Sequence, residues 1–163
     1  MKLEYEPVLG RQWTEIGGND CFRVVRDIFD LNFKIKITNF ARPKDWDADK
    51  LDIIGEMHER EGFYKLLDWD FRSLKPGDVL AIALGSHNPN HLAVYVGENL
   101  IVHQLLYQMS KSEILRDFWR NSTCYVLRHK DVPDMTEQKP TIDIMEIING
   151  RYKVQAETEA QEG

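Results

Sequence analysis

Three apolar segments set between turn signals most constrain this chain: 79–84 (VLAIAL), 91–96 (HLAVYV) and 100–105 (LIVHQL). All three read as strands, the first of them buried, because they are short, bounded by turn residues and, in the second and third, rich in β-branched residues. Lys75-Pro76-Gly77-Asp78 places a tight turn before the first, Gly97-Glu98-Asn99 signals a hairpin between the second and third, and 123–129 (TCYVLRH) supplies a further strand. Ahead of them, Phe22, Val25, Ile28 and Phe29 recur at helical spacing behind Asn19 or Asp20 as cap, which predicts a helix beginning close to Cys21. A second helical pattern over about 47–61 sets Leu51, Ile54 and Met57 on one side and charges on the other, as a surface helix does. Ser110 with Glu113 forms a capping box for a short helix ending near Trp119. Helices first and strands afterwards argue for an α+β fold with an antiparallel sheet.

At 163 residues and 42% hydrophobic, the chain suits one main core. Residues 1–129 hold 17 basic and 19 acidic residues, whereas 130–163 hold 4 and 8, so the chain divides into a domain over 1–129 and a linker with an acidic C-terminal extension over 130–163. Within the extension, 141–154 reads as a hairpin about Asn149-Gly150 in preference to a short helix. A net charge of -6 excludes nucleic acid and anionic lipid as expected partners, since both reward clustered Lys and Arg. No apolar run approaches the roughly 18 residues of a membrane span, and the first fifteen residues lack the pattern of a signal peptide, so a start in the cytosol is expected. Two cysteines make no disulfide framework, and each needs its own explanation.

A thiol is a useful nucleophile only as thiolate, so its site must supply positive potential. The first turn of a helix does so, and its amides can also hold an oxyanion. Cys21 is therefore a candidate nucleophile that needs a base. His91 and His103 lie twelve apart in strands that a hairpin would pair. With a three-residue loop, 97–99, His103 falls opposite Ala93 and both imidazoles share a face as diagonal neighbours. With a two-residue loop of Glu98 and Asn99, His103 falls opposite Val94 and the rings point to opposite faces. Granted the first register, Cys21, His91 and His103 form a chain of thiol, base and orienting group, able to make and hydrolyse an acyl-enzyme.

Asp20-Cys21, then Pro76-Gly77-Asp78-Val79, then Asn90-His91-Leu92-Ala93-Val94-Tyr95-Val96-Gly97 and Val102-His103, in this order, resemble the NlpC family of papain-like cysteine peptidases over about residues 13–129. The resemblance implies a Cys-bearing helix packed on an antiparallel sheet and cleavage of amide bonds in cell-wall peptides. It also implies Cys21, His91 and His103 as the catalytic Cys, His and third polar residue. The stretches around His91, 103–120 and Arg128-His129 look most like tail assembly proteins of long-tailed phages. That likeness implies a virion tail protein, with other tail-tip proteins and a cell-wall peptide as partners. Two departures stand out: Phe22 and Arg23 follow the Cys where small residues usually do, and the upstream Tyr that assists the oxyanion in many members is matched only by position, at Trp13.

Three functions follow: a peptidoglycan endopeptidase acting during phage entry, an inactive structural component of the tail tip, or an acyl transferase using the same trio. None needs a cofactor or a metal. A zinc site of His87, His91 and His103 is disfavoured because it leaves the capped Cys21 unexplained. Cys124, alternating with Val126, reads as core packing. His58 and His129 read as solvated, and Trp46, Trp69 and Trp119 as core anchors in preference to a sugar-binding groove.

Overall fold

The computed structural model describes residues 3–14, 18–40 and 52–134. Helix α1 spans Cys21–Phe33, the short α2 spans Ile53–Met57, and α3 spans Asp117–Ser122. Six strands, β1 Phe63–Lys65, β2 Val79–Ile82, β3 His91–Gly97, β4 Leu100–His103, β5 Lys111–Ile114 and β6 Thr123–His129, form one antiparallel sheet in the order β1-β6-β2-β3-β4-β5. The expected α+β architecture, a Cys-bearing helix on an antiparallel sheet, is what the chain adopts. No helix among the described residues is long and apolar enough to cross a membrane.

The central strands read as apolar runs because both faces of the sheet are covered. Val79, Ala81, Leu92, Val94 and Val102 join Val24, Val25, Ile28 and Phe29 of α1 in one core. Leu80, Ile82, Ala93, Ile101 and Val126 pack with Leu115 and Trp119 in the other. Between β2 and β6 the Asp78 carboxylate, 1% exposed, takes Nε and Nη2 of Arg128 at 2.7 Å each and the amide of Lys75 at 2.8 Å. The turn before β2 is thereby tied to the last strand.

The hairpin of β3 and β4 departs from the expected loop and keeps the expected register. Gly97 pairs with Leu100, so the turn is the two residues Glu98 and Asn99, both in the left-handed region with φ of 53° and 59°. By itself this turn would move His103 opposite Val94. A bulge between Tyr95 and Gly97 absorbs one residue, and Ala93 pairs with His103 after all. The bulged Val96 carbonyl accepts the Leu3 amide at 3.3 Å, so the N-terminal segment occupies the irregular position.

Other expectations are corrected. Ser110 caps no helix: its hydroxyl donates to the Val8 carbonyl and accepts from the Arg11 amide, and 111–114 is strand β5 on the edge of β4. The open hydrogen-bonding edge of β4 outweighs a local capping pattern. In the second helical pattern 47–51 fall outside the described residues; beyond them α2 runs only to Met57, and a 3-10 turn, Glu59–Glu61, leads to Gly62 at φ 82° and to β1, a strand the pattern did not suggest. Cys124 is exposed. Ala81 pairs with Tyr125 and Ile82 with Thr123, so Cys124 is the residue bulged out of the ladder, and the simple alternation with Val126 breaks there. His129 is buried, edge-on to Phe29 and Phe63, and His58 is half-buried with Nδ1 2.7 Å from the Gly55 carbonyl. Trp46 and the proposed turn at Asn149-Gly150 lie outside the described residues, as does the extension from 135 onward.

Candidate functional site

Cys21 is the first residue of α1. Asp20 caps the helix, its carboxylate accepting the Arg23 amide at 2.8 Å, so the chain turns into the helix with the thiol in its first turn. There the end of the helix dipole favours negative charge on sulfur. Cys21 is 7% exposed and lines an apolar cavity together with Phe22, Val25, Phe40 and Leu92.

His91, next to Leu92, opens β3. Asn90 sets where that strand begins: its side chain accepts the Leu84 amide at 2.8 Å and donates to the Leu84 carbonyl at 3.1 Å, closing the loop 84–90 on itself. The register of β3 and β4 then brings Nε2 of His91 to 3.0 Å from Nδ1 of His103. Both rings are buried, and Trp119 stands against them with ring centroids at 6.1 Å and 4.6 Å. Trp119 is thus a core anchor, as expected, and also the wall that shuts water from the pair. His103 continues the chain outward, its Nε2 lying 2.7 Å from a carboxylate oxygen of Glu113 on β5.

Burial, and then the neighbouring His103, push the His91 pKa down to about 3, so at physiological pH the ring takes up no proton from bulk solvent. Burial also lowers the pKa of His103, partly offset by Glu113. Glu113 itself is opposed by burial but held below the usual carboxylate range by hydrogen bonds from Lys111 and His103.

Of the three residues singled out from sequence, His91 and His103 meet directly, and Cys21 stands at the head of the helix that packs on β3. His87, offered as a zinc ligand, is exposed in the loop before β3. Among the described residues no three His, Cys, Asp or Glu side chains gather as a metal site. Trp13, matched by position to an oxyanion-assisting Tyr, stacks edge-on against Tyr107 at 4.6 Å. Sequence reasoning missed Asn90, Trp119 and Glu113 as parts of the site. For Glu113 the signal was the pairing of 111–114 with β4, which a capping-box reading hid.

Comparison with known proteins bears on the chain as a whole. The model of the NlpC/P60 family matches residues 8–128, which include Cys21, both histidines and every strand except the last residue of β6. The tail tip assembly protein K of Escherichia phage lambda is 33% identical over 129 residues, 79% of this chain and 63% of that protein. The chain therefore spans less than two thirds of that relative.

Proposed function

Because this chain belongs to the NlpC/P60 family, we propose that it is a cysteine peptidase of a phage tail tip that hydrolyses amide bonds in cell-wall peptides, with Cys21 as nucleophile, His91 as general base and His103 as the group that orients His91. The observation that carries the reading is the buried hydrogen bond between His91 and His103 at the start of β3, with a thiol in the first turn of the capped helix on that strand. Nε2 of His91 is committed to His103, which leaves Nδ1 to take the thiol proton. The sulfur then attacks the amide carbon, and first-turn amides of α1 stabilise the oxyanion. The imidazolium returns its proton to the leaving amine, and water, activated by the same ring, releases the acyl group.

Burial that resists charge on His91 does not oppose this step. Protonation from bulk acid puts a lone charge in the site, whereas transfer from Cys21 creates a thiolate and an imidazolium with no net charge. The phage-tail assignment is supported by the likeness to the lambda tail tip assembly protein. The assembly role of that relative also supports a second reading, a component that keeps the fold without the hydrolysis.

Incubation with several peptidoglycans separates the two. The protein should release peptide fragments, identified by mass, from at least one wall type, and Cys21→Ser should release none. Equal release by both forms, or none from any wall, leaves the assembly role.

A further inference from the structure

The three residues named so far do not account for the outer end of the chain of rings. β5 pairs with β4 so that Lys111 lies opposite His103 and Glu113 opposite Ile101, which makes Glu113 the diagonal neighbour of His103. His103 is fully buried, while the Glu113 side chain is about one-third exposed, so the carboxylate sits between the ring and solvent. One of its oxygens lies 2.7 Å from Nε2 of His103 and 2.9 Å from Nζ of Lys111.

We infer that Glu113 is a positioning residue: by accepting the Nε2 proton of His103 it sets the direction of the whole hydrogen-bond chain and leaves Nδ1 of His91 bare. This rests on the reading of His91 as the base for Cys21. An ionised carboxylate only accepts, so the proton shared with Glu113 belongs to His103. A neutral His103 then has its lone pair on Nδ1, and that atom faces Nε2 of His91. His91 must donate there, and its own lone pair falls on Nδ1. Without the carboxylate, the reverse direction becomes available: His103 protonated on Nδ1 would donate to Nε2 of His91, force the His91 proton onto Nδ1 and remove the base. Lys111 completes the device by supplying positive charge to the same carboxylate oxygen.

Histidine-selective 15N spectra of the full chain at pH 7 test this, read on the wild type, Glu113→Ala and Glu113→Gln. The wild type should show the His91 and His103 rings both protonated at Nε2. Glu113→Ala should lose that single tautomer and show mixed signals for both rings. Glu113→Gln, whose amide oxygen still accepts, should keep more of the wild-type pattern, and it serves if the alanine form does not fold. A wild-type His91 protonated at Nδ1, or Glu113→Ala rings identical to the wild type, overturns the inference. No substrate enters the measurement, so a chain that cleaves no wall peptide leaves this result standing.

Discussion

Between pH 7 and pH 4 the native protein is expected to lose roughly 3 kcal/mol more stability than its His91→Gln variant. The folded-state pKa of His91 is about 3, below the roughly 6.5 of an unfolded histidine. Above pH 6.5 the ring takes up no proton from solvent in either state and the site contributes its full stability. As pH falls below 6.5 the unfolded chain takes up a proton that the folded ring refuses, and stability drains at about 1.4 kcal/mol per pH unit until pH nears 3. The two rings that contact it, His103 and Trp119, offer it no negative charge, and Glu113 faces His103 instead. Carboxylates also titrate in this range, and comparing the two forms cancels their contribution. Urea unfolding at both pH values measures the difference; parallel losses in the two proteins would mean that His91 is not held neutral by its surroundings.

Asp78→Ala is expected to cost about 3 kcal/mol and to lower Tm by roughly 10 °C. Both oxygens of this nearly inaccessible carboxylate are used, and its removal leaves the Arg128 guanidinium, whose side chain is 21% exposed, and the Lys75 amide without their partner. An arginine side chain does not give up its proton inside a protein, so the guanidinium stays charged when stranded. Replacing both partners with Asp78→Ala and Arg128→Met should recover part of the loss, because the unpaired charge is then gone. By contrast Asp30→Ala, which breaks the exposed pair with Lys36, should melt close to the parent. An Asp78→Ala protein that melts within a degree or two of wild type would show that this pair does not hold the turn before β2 to β6.

Much of this fold was legible because its signals are local and agree with one another. The apolar spacing of α1, its Asp20 cap and the turn at Pro76-Gly77-Asp78 all point one way, and the structure follows them. The pairing of His91 with His103 was legible through parity, although for an incomplete reason. The turn has two residues rather than three, and a bulge supplied the missing step. Bulges leave little trace in composition, and for the same reason simple alternation with Val126 points Cys124 into the core, whereas it is exposed. Glu113 escaped because Ser110 and Glu113 satisfy a helix-capping pattern, and only the unpaired edge of β4 decides for a strand. His129 escaped because its burial depends on Phe29 and Phe63, which are distant in sequence.

The central claim is that the thiol at the head of α1 is activated by His91, and its alkylation rate tests this most directly. Cys124 is exposed and would react as well, so the measurement belongs in a Cys124→Ser background, with iodoacetamide and a readout by mass from pH 5 to 10. Cys21 should react rapidly at neutral pH with a thiol pKa clearly below about 8.5, and His91→Ala should slow it at least about tenfold and return the pKa toward that value. A slow thiol with an ordinary pKa, the same with and without His91, would contradict the account.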